Sequence, residues 1–108
     1  MKYGLITFGK GVFLSVMAEQ VRVRILIEGR LQGANFRFKS QQKAKQLNLV
    51  GFVRTLSDGR IEIEAQGDEA QVEELLNWCQ EEPHSSQIIS LLYRYDEPVR
   101  NYNDFVVR

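Results

Sequence analysis

Gly29-Arg30-Leu31-Gln32-Gly33-Ala34-Asn35-Phe36-Arg37 is the stretch whose residue types and spacing suit chemistry. Two glycines bound a short polar loop, and an arginine closes it. Such a loop, placed between a strand and a helix, leaves backbone N–H groups unpaired at the helix start, where they attract an anion. The arginine adds a fixed positive charge and a planar fork of donors that matches phosphate or carboxylate. Glycine at position 33 lets those N–H groups converge. The spacing is neither G-x-G-x-x-G nor a Walker loop, since no Gly-Lys-Ser/Thr follows. The local reading is therefore an anion cradle of unspecified chemistry.

The elements needed to position this loop are legible on both sides. Val21, Val23, Ile25 and Ile27 alternate with Arg22, Arg24, Leu26 and Glu28, which predicts a half-buried strand. Ser40 to Leu47 reads as a helix, with Phe36, Ala44 and Leu47 towards one face and Lys39, Lys43 and Lys45 outside. Asn48 suits a left-handed helix terminus. Val50 to Thr55 predicts a second strand, and Asp58-Gly59 a tight hairpin turn into a third strand, Ile61 to Ala65. In that strand, antiparallel to the second, Ile61, Ile63 and Ala65 alternate with Glu62, Glu64 and Gln66. Asp68 predicts a helix N-cap, with Gln71 completing a capping box, and Val72, Leu75, Leu76 and Cys79 form the apolar stripe. Gln87 to Tyr95 and Phe105 to Val107 read as further strands. The order β-α-β-β-α-β plus a short terminal strand predicts an α+β, ferredoxin-like sandwich: one antiparallel sheet with two helices on one face. Tyr93, Tyr95 and Tyr102 are expected in the core or on the surface.

Composition narrows the function classes. The chain has 108 residues, 44% hydrophobic and 26% charged, which fits one soluble domain. Net charge is zero, so no global field favours nucleic acid or membrane. Charge is segregated along the chain, however: residues 21–60 hold nine Arg or Lys against Glu28 and Asp58, whereas residues 61–97 hold ten Asp or Glu against Arg94. Cys79 stands alone, so no intrachain disulfide forms and a cytoplasmic location is expected. His84 follows Pro83 in a polar turn and lacks metal-ligand neighbours, which makes it a loop residue. Residues 1–20 form an extension to a domain spanning 21–108. It is too short and interrupted to span a bilayer and lacks a clean secretory pattern. Met17-Ala18-Glu19-Gln20 reads as an alternative start, and the preceding sixteen residues as an upstream artefact or a floppy tail.

A second stretch sharpens the first. Gly51-Phe52-Val53-Arg54-Thr55-Leu56-Ser57-Asp58-Gly59, taken with the loop at 29–37, resembles the acylphosphatase family. Its first motif, Gly-Arg-Val-Gln-Gly-Val-x-Phe-Arg, stands here as Gly29 to Arg37, with Leu31 and Ala34 replacing the valines. Its second, Gly-aromatic-Val-Arg/Lys/Gln-Asn followed after three residues by Gly, is matched by Gly51, Phe52, Val53, Arg54 and Gly59. The resemblance runs from about Val21 to Val107.

The resemblance implies metal- and cofactor-independent hydrolysis of acyl phosphates to a carboxylate and inorganic phosphate. Carried over by position, Arg37 clamps the phosphoryl group and backbone N–H groups of Gln32, Gly33, Ala34, Asn35 and Phe36 complete the cradle. The family's second catalytic residue is an asparagine that positions the attacking water, and Thr55 occupies that position. Threonine offers one hydroxyl on a shorter arm than a carboxamide, which implies slower turnover. The alternative is a catalytically weak or inactive module that binds phosphate or an acyl phosphate. RNA-recognition domains share the same element order but carry stacking aromatics on the third strand; here that strand is acidic, so no nucleic-acid partner is expected. A monomer is expected, with a small acyl phosphate or inorganic phosphate as its partner and no membrane association.

Overall fold

The computed structural model describes residues 2–8, 11–17 and 19–108, the first two segments and Ala34 as backbone only. The stretch expected as a tail contains two strands, β1 (Lys2–Phe8) and β2 (Gly11–Met17), paired antiparallel as a sheet of their own. Its β-branched and aromatic content is strand-forming material. Met1, Gly9, Lys10 and Ala18 lie outside the described residues.

The remaining elements are β3 (Gln20–Gly29), α1 (Gly33–Gln46), β4 (Val50–Thr55), β5 (Ile61–Asp68), α2 (Glu69–Cys79), β6 (Ile88–Asp96) and β7 (Phe105–Val107). They form a five-stranded sheet in the order β6-β3-β5-β4-β7. The ferredoxin-like arrangement is the one expected. The sheet is mixed rather than wholly antiparallel, because β7 joins β4 in parallel.

β3 and β4 are each antiparallel to the strand β5 between them. They are therefore parallel to one another, and their C-terminal ends lie at the same end of the sheet. The loop after β3 and the last residue of β4 consequently meet there.

Both helices cover one face, α1 over β4 and β7, α2 over β3 and β5. Val23, Ile25 and Ile27 of β3 and Ile61, Ile63 and Ala65 of β5 are buried against Phe36, Ala44 and Leu47 of α1 and Val72, Leu75, Leu76 and Cys79 of α2. Each large aliphatic or aromatic side chain so buried contributes roughly 1.5–3 kcal/mol to folding. Burial also raises the Cys79 thiol to about 12, so it behaves as a small apolar group. Ser40, fully buried among these residues, donates its hydroxyl to the Arg37 carbonyl at 3.0 Å.

Local details depart from the sequence pattern in four places. α1 begins at Gly33, seven residues before the predicted start. The Asp58-Gly59 turn is not a two-residue hairpin: Thr55 pairs with Ile61, leaving a five-residue connection, Leu56 to Arg60, closed by the Leu56 N–H to Arg60 carbonyl bond at 2.7 Å. Asp68 occupies the N-cap of α2 but makes no capping bond; its carboxylate accepts instead from Gln20. Asn48 behaves as expected, with φ of 58° and the Leu49 N–H returning to the Ala44 carbonyl at 2.9 Å.

The fourth place is Glu62, on the charged side of the alternation and yet only 2% exposed. Arg24 of β3 and Arg54 of β4 each donate to one of its carboxylate oxygens at 2.6 Å. Arg22 pairs with Glu64 at 3.3 Å, and Tyr102 also donates to that carboxylate. The charge segregation along the chain is thus neutralised in space where basic β3 and β4 flank acidic β5.

Gly51, the second residue of β4, has φ of 137°, and a Cβ there would lie 2.0 Å from the Glu64 carbonyl oxygen. Only glycine lets β4 approach β5 this closely.

Burial alone would raise the Glu62 carboxyl, but the hydrogen bonds and charges of Arg24 and Arg54 outweigh it and hold the group below its ordinary 4.5. A depressed carboxyl stabilises the fold above the unfolded-state value, and that contribution is lost as pH falls through the folded-state value. Glu62→Gln is expected to cost about 1–2 kcal/mol near neutral pH, discounted because both arginines reach solvent. The cost is expected to shrink in acid, as pH falls below the ordinary 4.5 and through the lowered folded-state value. Urea denaturation of both proteins at neutral and at acid pH checks this; an equal cost at both would contradict it.

Candidate active site

Gly33 and Asn35 in the first turn of α1 are poor helix formers, and the helix starts without a side-chain cap. Gln32 sits at the N-cap in an extended conformation, and its side chain makes no capping bond. The first helical bond runs from the Phe36 N–H to the Gln32 carbonyl at 2.9 Å. The N–H groups of Gly33, Ala34 and Asn35 precede any intrahelical acceptor, so they face out of the helix end. No acidic residue lies in the first turn. The positive end of the helix dipole is therefore left for a ligand to neutralise.

Arg37 lies one turn into α1, on the side facing β4. Val53 of β4 is buried beneath the helices, and Thr55, two residues on, shares its face of the sheet. Thr55 therefore emerges beside the start of α1. An Nη1 N–H of Arg37 donates to the Thr55 hydroxyl oxygen. That bond uses one of five guanidinium donors and leaves the threonine proton free to donate elsewhere.

Gly33 completes the convergence. A Cβ built on it would lie 3.8 Å from Arg37 Nη1 and 3.9 Å from Thr55 Oγ1. These are ordinary contact distances, so a glycine here keeps open a space bounded by a guanidinium, a hydroxyl and the first-turn amides. Neither Arg37 nor Thr55 touches a carboxylate or imidazole among the described residues. No group of three or more His, Cys, Asp or Glu suited to a metal occurs among them either.

The residues expected from sequence divide as follows. Gly33, Arg37 and Thr55 are brought together. Ala34 and Asn35 contribute first-turn N–H groups. Gln32 supplies the N-cap, and its carbonyl binds the Phe36 N–H, which is thereby engaged within the helix. The Phe36 ring is 4% exposed and packs on Trp78 at 5.7 Å and His84 at 5.4 Å, which anchors the first turn from below. Arg54, part of the second motif, points to the opposite face and clamps Glu62.

Comparison with known proteins identifies relatives along nearly the whole of residues 21–108. Residues 23–107 match the acylphosphatase family model. The chain belongs to the acylphosphatase family. It is 35% identical over 92 residues to an acylphosphatase of Anaeromyxobacter dehalogenans, covering 85% of this chain and 99% of that protein. It is 38% identical over 86 residues to one of Methylococcus capsulatus, covering 80% and 94%. The structure of an acylphosphatase from Coxiella burnetii superposes with a TM-score of 0.72 at 30% identity, over 82% of this chain and 93% of that one.

The structure also shows a cleft that sequence reasoning missed. Arg30, Gln32, Asn35 and Lys39 form one wall of it and His84 part of the other. His84, taken from sequence as a turn residue, is 9% exposed and sits against Trp78 at 4.5 Å between ring centroids. Burial and the nearby Lys39 charge lower its proton affinity, partly opposed by Glu81 and Glu82. No local pattern around Pro83-His84 announces this placement.

Filling the space at Gly33 separates binding from folding. Gly33→Ala is expected to fold normally, since its Cβ meets nothing closer than 3.8 Å. It is expected to weaken phosphate binding at least tenfold, because the methyl occupies the anion's position. Calorimetric titration with phosphate, beside a thermal melt without ligand, checks both halves; unchanged affinity would place the anion elsewhere.

Proposed function

We propose that this protein hydrolyses acyl phosphates, with the phosphoryl group seated between the first turn of α1, Arg37 and Thr55. The observation that carries the reading is the convergence of Gly33, Arg37 and Thr55 on one open space. A phosphoryl group there accepts bonds from the Gly33, Ala34 and Asn35 N–H groups and from Arg37. All of these donors are fixed before the substrate arrives. Preorganised donors of this kind stabilise charge that grows on the equatorial oxygens as the P–O bond to the acyl group loosens.

Water attacks phosphorus opposite the departing carboxylate. A new P–O bond forms, the P–O bond to the acyl oxygen breaks, and its electron pair leaves with the carboxylate. The carboxylate is a good leaving group and requires no protein acid. No imidazole or carboxylate bonds to Arg37 or Thr55 among the described residues, so the proton of the attacking water passes to a phosphoryl oxygen.

Thr55 acts on that water. Its oxygen has two lone pairs; one accepts from Arg37, and the other accepts from the water. A carboxamide here would hold the water further from the strand, with a carbonyl and two N–H donors. A displacement of about 1 Å in a reacting atom costs on the order of a hundredfold in rate. The proposed enzyme is accordingly slower than one with asparagine at this position.

Hydrolysis of benzoyl phosphate by three proteins tests the reading. Wild type is expected to turn over slowly, Thr55→Asn to match or exceed it, and Arg37→Ala to lose on the order of a thousandfold or more. An inert wild type whose melting temperature rises with phosphate would instead identify a phosphate-binding module, since a ligand bound only by the native state raises its stability.

A further inference from the structure

The cleft beside the first turn of α1 has a volume of about 310 Å³ and begins where the phosphate space ends. The two share the turn between Gln32 and Asn35, while Gly33, Arg37 and Thr55 lie outside the cleft lining. Arg30 enters from the loop, and its own N–H is tied to the Gln87 carbonyl at 2.9 Å. Lys39 stands one helical turn beyond Asn35 on the same side of α1. The Phe36 ring lies between them and is buttressed by Trp78 and His84.

Charge distinguishes this cleft from the rest of the surface. Its lining holds Arg30 and Lys39 and no carboxylate. Neither cation forms an ion pair with a described residue, whereas Arg22, Arg24 and Arg54 on the sheet are each paired with a glutamate. His84 makes no hydrogen bond with a described residue, yet no described buried polar atom is left without a partner. Its ring nitrogens are therefore open to solvent along the cavities it lines. Glu81 and Glu82 are the carboxylates that act on His84, and Glu82 already accepts from Ser85 at 2.7 Å. The result is two unpaired cations and an open imidazole edge next to a site for a phosphoryl group.

We propose that this cleft receives the acyl end of the substrate, and that Arg30 and Lys39 select acyl phosphates whose acyl group bears a second anionic group. The inference rests on the acyl phosphate reading above and adds a substrate class to it. With the phosphoryl group held at Gly33 and Arg37, the acyl chain extends past Gln32 and Asn35 into the cleft. A distal carboxylate or phosphate there meets two positive charges. A neutral chain of the same length meets the uncharged lining, Leu31, Phe36 and Pro83 among it, and leaves those charges to water. Arg30 and Lys39 are specificity-determining residues in this account; they do not touch the reacting atoms.

Succinyl phosphate and butyryl phosphate test it, since they have the same chain length and differ in the distal carboxylate. Wild type is expected to show a KM about tenfold lower for succinyl phosphate at low salt, with similar kcat for both. The gap is expected to narrow at high salt, because partly exposed ion pairs are screened. The double variant Arg30→Gln with Lys39→Gln is expected to raise the succinyl phosphate KM to the butyryl value and to leave butyryl phosphate hydrolysis unchanged. Lys39→Glu is expected to reverse the preference. Equal KM values in wild type, or equal shifts for both substrates in the variants, would overturn the inference and leave acyl phosphate hydrolysis standing. Failure to hydrolyse either substrate would remove that hydrolysis and the inference with it.

Discussion

A helix that starts without a cap has N–H groups it cannot satisfy, and at α1 the protein leaves them that way. Gln32 makes no capping bond, and no acidic side chain approaches the first turn. Elsewhere in globular proteins these donors bond to serine, threonine or aspartate side chains. Here the open donors face a space bounded by Arg37, Gly33 and Thr55. Nearly everything else in the domain fixes that helix end. The buried face of α1, from Phe36 through Ser40, Ala44 and Leu47, sets its rotation about its axis. The parallel relation of β3 and β4 sets which strand end it meets.

The opposite face of the sheet solves a different electrostatic problem. Glu62 is buried between Arg24 and Arg54, while Glu64 engages Arg22 and Tyr102. A carboxylate taken out of water this far is tolerated only because both of its oxygens find cationic donors. These arginines are committed to the fold. Arg37, Arg30 and Lys39, at the end of the sheet, have no such partners among the described residues. The same residue type thus serves structure on one surface and is left available on another, and the difference lies in where β5 places its glutamates.

The sequence made the long-range plan legible because it depends on periodicity. Alternation in β3 and β5 and helical spacing in α2 were sufficient for the element order of residues 21–108, though not for β1 and β2. Arg37 and Thr55 were singled out together only by the family resemblance of the two glycine-bounded motifs. Three further features were not legible, each for a physical reason. The early start of α1 is hidden because Gly33 and Asn35 have poor helix propensity and are held helical by tertiary contacts around Phe36. The burial of Glu62 is hidden because alternation reports which face a residue takes and not what covers that face. The cleft at Arg30, Lys39 and His84 is hidden because it joins segments about fifty residues apart through the packing of three aromatic or imidazole rings.

β4 carries two unlike demands at its two ends. At Gly51 the backbone runs so close to Glu64 that no side chain fits. At Thr55 the side chain is exposed and the ladder with Ile61 is made by backbone alone. The strand therefore has one position where any side chain would collide with its neighbour and one where the fold itself accepts a different side chain. A substitution at the mouth of the proposed phosphate site need not disturb the sheet that carries it. Catalytic vigour and structural integrity are in this way uncoupled along a single six-residue strand.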